Sequence, residues 1–180
     1  MGARKQAGDK DFQAFVVGRW PRLMRTAFLL TGEQHAAEDL AQSTLEQVYV
    51  AWHRVASAND PEAYVRRVMI NAHARRHRRK LREFLLPRSD DTGVTHEVAD
   101  TSDRIAQADD RHTLLKALVK LPTRQREAVV LRYWEDLTEI QTAEAMGCSV
   151  GTVKSNAAKG ITKLRAMSGR AETVTHGGQK

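Results

Sequence analysis

The residues whose chemistry is easiest to read are eight cations within one short stretch of the chain. No Asp or Glu occurs from residue 63 to residue 82, and Asn71 is the one amide in its middle. Like charges at this density repel one another unless a polyanion such as nucleic acid neutralises them. An amide in their midst can hydrogen-bond the edge of a base. The cations are Arg66, Arg67, Arg75, Arg76, Arg78, Arg79, Lys80 and Arg82.

A second cationic stretch has the pattern of a helix with two different faces. Apolar residues recur at spacings of three and four at Val150, Val153, Ala157, Ile161 and Leu164, and no acid occurs between Glu144 and Glu172. A helix that is apolar behind and cationic in front suits the major groove of DNA. The residues of the front that we call the recognition set are Thr152, Lys154, Ser155, Asn156 and Lys159.

The residues before this helix predict a helix-turn-helix. Thr138 followed by Gln141 forms a capping box, in which the hydroxyl accepts from a free backbone N–H and the amide reaches back. Gly147 can end the first helix in a left-handed conformation, and Ser149 can cap the second helix. Ile140, Ala143 and Met146 fall on one face of the first helix. A pair of ordinary helices with a solvated lysine face is the alternative.

A third stretch has the opposite charge. No Lys or Arg lies between Arg25 and Arg54, while Glu33, Glu38, Asp39 and Glu46 all do. An acidic helix in a basic protein will not lie against phosphates, so it is better placed to meet another protein. An ordinary solvated face, with acids favoured near the helix N-terminus, is the alternative.

Composition limits the classes of protein to consider. The chain has 180 residues, a formal net charge of +7 and one cysteine, Cys148, which excludes an intramolecular disulfide framework and suits a reducing cytosol. We see neither a signal peptide nor a membrane span and therefore expect a cytoplasmic protein. His73 and His77 have a metal-binding spacing, but no third ligand accompanies them and the flanking arginines repel a cation. We predict no metal, no cofactor and no small-molecule substrate.

The organisation predicted from these patterns is all-α, with two small helical domains. Residues 12–82 form the first domain, whose opening helix is interrupted or bent near Trp20 and Pro21. Residues 83–102 form a flexible, acidic linker. Residues 103–166 form the second domain, which ends in the helix-turn-helix. Residues 1–10 and 167–180 are predicted to be disordered.

Two stretches carry a resemblance to a known family. AEDLAQSTLEQVYVAW followed by AYVRRVMINAHARRHRR resembles conserved region two of the RNA polymerase sigma factors of the extracytoplasmic-function class, particularly an actinobacterial branch. LPTRQREAVVLRYWEDLTEIQTAEAMGCSVGTVKS resembles region four of that class. The stretches occur in the family's order, and with their flanks they cover most of residues 12–165. The family's two-domain, all-α architecture agrees with the organisation predicted above.

The resemblance assigns roles to named residues. It implies that an acidic set binds the β′ clamp helices of core RNA polymerase, that an arginine set with Asn71 opens the promoter −10 element, and that the recognition set reads the −35 element. It also implies contact with the β subunit and, as for many members, with an anti-sigma protein. The acidic set is Glu38, Asp39, Gln42 and Glu46. We use the name arginine set for all residues that the resemblance assigns to the −10 element, which are Val55, Arg66, Arg67, Asn71, Arg75, Arg76, Arg78 and Arg79.

Some positions depart from the family's pattern. Val55 stands where some members place an aromatic loop residue. The pocket in which the family holds an extruded promoter base therefore differs here. Asn156, Ala157 and Gly160 replace a commoner Arg, bulky aliphatic and Ala, so the −35 preference of relatives does not transfer. Gly160 should cost the helix about 1 kcal/mol relative to Ala.

The sequence leaves two other functions to weigh. A free-standing regulator would use the same helix-turn-helix on duplex operators, usually as a dimer, but the acidic helix and the linker argue against it. A nuclease or recombinase needs clustered carboxylates or a nucleophile in a basic pocket. The pair Glu38 and Asp39 lies instead in the stretch that lacks cations. A promoter-specificity subunit that is not an enzyme is therefore the leading hypothesis.

Overall fold

A computed structural model describes residues 2–85 and 107–175, and every regular element in these ranges is helical. Most of the predicted linker, from residue 86 onward, lies outside the described residues. None of the helices in the described ranges is both long and apolar enough to cross a bilayer. In chain order the helices are α1 (Gly2–Thr31), α2 (Gln34–Val50), α3 (Trp52–Val55), α4 (Pro61–Leu85), α5 (Gln107–Val119), α6 (Thr123–Val129), a π-helical turn (Val130–Trp134), α7 (Glu139–Met146) and α8 (Val150–Thr175).

The N-terminal half, α1 to α4, packs around faces that the spacing of apolar residues predicts. Leu23, Ala27 and Leu30 of α1 are buried, as are Leu40 and Val48 of α2. Helix α1 begins at Gly2, within the segment predicted to be disordered, and runs through Pro21 without interruption. Pro21 is exposed, so the carbonyl that loses its hydrogen bond to the proline can bond water instead.

Helix α4 packs against the core through a face that includes a histidine. Val65, Met69, Ile70 and His73 are buried, whereas Tyr64 is exposed. His73 pairs with Glu127 of the C-terminal half. A pattern based on apolar residues alone does not indicate a buried histidine.

The C-terminal half contains the predicted helix-turn-helix with its predicted caps. Thr138 and Gln141 form the capping box, and Gly147 adopts φ 61° and ψ 46° at the end of α7. Ser149 Oγ accepts from the Thr152 N–H at 3.2 Å at the start of α8. Ala143 and Met146 are buried, whereas Ile140 is 64% exposed, because α7 packs through its Thr142, Ala143 and Met146 side.

Helix α8 continues ten residues past Arg165, to Thr175, although periodicity is lost there. Adding a residue to an existing helix costs little compared with starting one. Val153, Ala157 and Leu164 are buried and hold the helix against α6 and α7. The last residues, 176–180, lie outside the described ranges.

The two halves share one hydrophobic core, which the sequence does not predict. Leu30 and Ile70 of the N-terminal half belong to the same buried cluster as Leu131 and Met146 of the C-terminal half. Polar groups also cross between the halves, since Arg126 Nη1 donates to the Leu30 carbonyl at 2.5 Å. Each half therefore helps to bury the other.

Candidate functional site

The acidic set lies along one side of α2. The helix turns its apolar residues toward α1 and α4, which leaves Asp39, Gln42 and Glu46 exposed. Glu38 is half-buried, and its Oε1 accepts from Gln34 Nε2 of the preceding turn at 2.7 Å. An exposed stripe of carboxylates on a rigid helix can bind cationic side chains of another protein with little ordering cost.

The acidic set borders an apolar surface that sequence reasoning missed. Phe12, Leu45 and Tyr49 line an open groove beside Gln42 and Glu46. The Tyr49 hydroxyl donates to Asp9 Oδ1 at 2.8 Å, and this bond raises the pKa of the tyrosine. Asp9 and Phe12 were hard to find because one falls in the segment predicted to be disordered and the other resembles an ordinary core residue.

The arginine set divides into exposed and partly buried members along α4. The guanidinium of Arg66 is mostly buried and contacts Asp60 at 3.2 Å and Glu62 at 3.5 Å. Arg76 is half-buried, and its Nη2 lies 3.0 Å from Asp39 Oδ2 of the acidic set. The exposed members are Arg67, Asn71, Arg75, Arg78 and Arg79. These five are accessible to phosphates or bases, and Arg66 and Arg76 each contact an acid.

Val55 is buried in the core, a position that its predicted contact with the −10 element does not require. Its side chain ends α3 and is only 3% exposed, in the core shared with Trp52 and Met69. An aspartate at this position would bury a carboxylate among apolar groups, so Val55→Asp would disturb folding before it reported on DNA. The assignment of Val55 to the base pocket remains a prediction, and its test requires a different substitution.

The two histidines with metal-binding spacing lie in different environments. His77 is exposed, while His73 is buried with its Nδ1 2.9 Å from Glu127 Oε1. Arg124 Nη1 contacts the other oxygen of Glu127 at 3.2 Å. No cluster of three or more His, Cys, Asp or Glu with metal-binding geometry occurs within residues 2–85 and 107–175 that the structure describes. His73 therefore acts as a polar contact between the halves.

The recognition set lies on the outer side of α8. Lys154, Ser155 and Lys159 are exposed, and Lys154 Nζ lies 3.3 Å from Glu139 Oε2 at the start of α7. Thr152 and Asn156 support the helix, because the Thr152 hydroxyl bonds Ser149 Oγ and Asn156 Nδ2 donates to the Thr152 carbonyl. The polar side chains at the N-terminal end thus stand in fixed positions on a packed helix, as groove recognition requires.

Cys148 lies in the turn that leads into α8. Partial burial raises the pKa of its thiol, which keeps it protonated and weakly nucleophilic near neutral pH. A structural role as a small side chain in the turn accounts for it.

Comparison with known proteins finds the same two units. Residues 17–83 match the profile described as Sigma-70 region 2, and residues 111–164 match the profile described as Sigma-70, region 4. The RNA polymerase sigma-E factor of Streptomyces avermitilis is 37% identical over 158 residues, which cover 86% of this chain and 83% of that protein. The ECF RNA polymerase sigma factor SigW of Bacillus subtilis is 27% identical, with 88% and 89% covered.

Solved structures share the fold. The sigma factor RpoE from Bartonella quintana, in complex with the anti-sigma factor NepR, aligns with a TM-score of 0.66 at 23% identity, covering 88% of this chain and 96% of that one. CnrH, in complex with the cytosolic domain of CnrY, aligns with a TM-score of 0.60 at 20% identity, covering 92% and 94%.

Proposed function

This chain belongs to the extracytoplasmic-function group of the sigma-70 family, and we propose how its residues divide the work of such a factor. As a sigma factor with regions 2 and 4, it binds core RNA polymerase, directs promoter recognition and is not catalytic. Family membership sets aside the free-standing regulator and the nucleic-acid enzyme. The division of labour among named side chains is our proposal, and it places the protein in the cytoplasm, where the polymerase works.

In this proposal residues 12–82 bind the polymerase and open the −10 element. The acidic set contacts the β′ clamp helices, supported by the exposure of Asp39, Gln42 and Glu46 along one helix. The exposed members of the arginine set neutralise phosphates, and Asn71 contacts an extruded base. Extruding a base costs a few kcal/mol of stacking, which phosphate neutralisation and base contacts must offset.

Residues 103–166 read the −35 element through α8 and contact the β subunit. The observation that carries this assignment is the orientation of α8, which buries Val153, Ala157 and Leu164 and exposes Lys154, Ser155 and Lys159. The residues between the domains, 83–102, join the two and so allow one chain to reach both elements. We propose an anti-sigma protein as a further partner, since the sigma factor RpoE, which shares the fold, was solved in complex with one.

The proposal is tested by separating polymerase binding from promoter opening. Glu46→Lys should weaken binding to core polymerase about tenfold, because it places a cation where a carboxylate is assigned to meet cations. Asn71→Ala should keep core binding and lower opening, because it removes a base contact alone. Core binding is measured by titration with labelled protein, and opening by permanganate reactivity of thymines on a promoter selected from a randomised library by run-off transcription.

The matched control is Glu144→Lys, which makes the same change at an exposed acid on α7 of the other half. It should leave core binding within about twofold of the wild type. Equal core affinity for the Glu46→Lys and Glu144→Lys proteins would refute the placement of the acidic set. Unchanged opening by Asn71→Ala would show that the extruded base is read elsewhere.

A further inference from the structure

The acidic set and the arginine set, described above as separate surfaces, are the two walls of one groove. The groove between α2 and α4 has a volume of about 560 Å³. Its α2 wall contains Asp39, Gln42 and Glu46, and its α4 wall contains Arg75, Arg76 and Arg79. Residues assigned to the polymerase and residues assigned to the promoter therefore face each other across one groove.

Asp39 and Arg76 join the two walls. Asp39 Oδ2 accepts a hydrogen bond from Arg76 Nη2 at 3.0 Å, and the Arg76 side chain is 32% exposed while that of Asp39 is 61% exposed. An arginine side chain has many rotamers, and fixing it on binding costs about 2- to 10-fold in affinity. A carboxylate that already holds the guanidinium removes part of that cost.

The neighbours of Arg76 strengthen the need for such a partner. Arg79 lies on the same groove wall, three positions after Arg76, and like charges at this spacing on one helix repel each other. Asp39 places an opposite charge beside the Arg76 guanidinium. With Asp39, it stays in the groove while its remaining N–H groups are still able to donate to a phosphate.

We propose that Asp39 is a positioning residue that holds Arg76 in the geometry in which it contacts the promoter backbone during opening. This inference rests on the proposed function, because it assumes that α4 meets promoter DNA. It gives Asp39 a role on the DNA side that its resemblance-derived assignment to the polymerase does not include. The ligand recognised through the pair is a phosphate of the −10 region.

The test is a double-mutant cycle on the holoenzyme. Asp39→Asn, Arg76→Gln and the double variant are each assembled with core polymerase and compared for opening of the library-selected promoter by permanganate reactivity. We expect Asp39→Asn alone to lower the opening equilibrium about 2- to 10-fold. In the Arg76→Gln background, Asp39→Asn should change opening by less than about twofold, since the guanidinium it positions is gone.

Core affinity is measured for the same four proteins. Any loss caused by Asp39→Asn in core binding should be equal with and without Arg76, because a direct polymerase contact does not act through that arginine. A purely structural role would lower both properties together and would also lower the melting temperature. Glu33→Gln, at an exposed acid beside the start of α2 and outside the groove, is the matched control and should change neither property.

Two results would overturn the inference. Equal losses of opening in the two backgrounds would show that Asp39 acts independently of Arg76. A gain in opening for Asp39→Asn would show that the carboxylate shields the arginine from DNA instead of positioning it. Failure of the proposed function is seen separately, as absence of opening by the wild-type holoenzyme itself.

Discussion

At the scale of single residues, the two lysines of the recognition set differ in place and surroundings. Lys154 and Lys159 are five positions apart, so about 140° of net rotation separates them on α8. Lys154 lies in the first turn and a half of the helix, beside Glu139, whereas Lys159 lies more than a turn further along. The N-terminal part of a recognition helix meets base edges, and later positions meet the backbone.

We therefore expect Lys154→Ala and Lys159→Ala to have different effects on DNA binding. Lys154→Ala should relax the −35 preference by about 1–3 kcal/mol at one base pair, which is the discrimination of a base contact. Lys159→Ala should weaken binding to all sequences alike and lower the salt slope by about one. Fluorescence anisotropy of the holoenzyme on duplexes with single −35 substitutions, at several salt concentrations, measures both quantities. An unaltered base preference for Lys154→Ala would contradict this division.

At the scale of the helices, Gly160 shows how packing changes the meaning of a residue. The sequence suggests only that glycine weakens α8. In the structure, a Cβ at Gly160 would lie 2.6 Å from Val129 Cγ2 and 3.3 Å from the Gln125 carbonyl oxygen. Glycine is required because α8 and α6 approach too closely for a side chain, so the helix loses intrinsic stability and gains close packing against α6.

We predict that Gly160→Ala destabilises the protein despite a better helix propensity. The propensity gain is about 1 kcal/mol, while overpacking against Val129 and the α6 backbone costs about 1–3 kcal/mol, so the net change should be a loss. Gly151→Ala is the matched control, because the nearest atom to its Cβ is Ser149 Oγ at 3.9 Å, and it should be neutral or stabilising. Urea unfolding of both variants decides between them. A Gly160→Ala protein more stable than the wild type would show that α6 can yield.

The sequence predicts local features of these helices well and contacts between distant residues poorly. Three local features are confirmed: the capping box at Thr138, the left-handed Gly147 and the cap at Ser149. Each depends only on residues within four positions along the chain. The pairing of His73 with Glu127 joins residues 54 positions apart, and no periodicity indicates it. Residues that bind DNA or polymerase are proposed from the resemblance, since charge alone cannot tell a binding face from a solvated one.

At the scale of the whole molecule, buried acids of the C-terminal half are held by the N-terminal half. Glu135 follows the π-helical turn, is nearly inaccessible, and accepts from Arg22 Nε at 3.0 Å and from the Thr26 hydroxyl of α1. A π-helical turn contains one more residue than an α-helical turn. The positions after it are therefore rotated relative to α6, and Glu135 faces α1. A buried carboxylate requires such partners, so this contact favours the packed arrangement of the halves over a separated one.

The same contact provides a test of how firmly the halves are joined. Arg22→Ala removes the cation and leaves the Thr26 hydroxyl as the side-chain partner of Glu135 while the halves are packed. Losing one partner of a buried pair costs about 3–5 kcal/mol, but Arg22 is 56% exposed, so a loss of about 1–3 kcal/mol is expected after allowing for solvent screening. The packed arrangement should therefore become about 5- to 150-fold less populated relative to the separated one.

Small-angle X-ray scattering measures this shift. A compact chain of this length has a radius of gyration of about 16 Å, and separation of the halves should increase the measured value by several ångströms. Arg19→Ala is the matched control, because Arg19 lies one turn earlier on α1 and pairs at 2.5 Å with Glu62 of its own half. It should leave the radius unchanged. If Arg22→Ala stays as compact as Arg19→Ala, the apolar contacts of the shared core hold the halves together without the ion pair. The hydrogen bond from the Thr26 hydroxyl would then be enough to keep Glu135 buried.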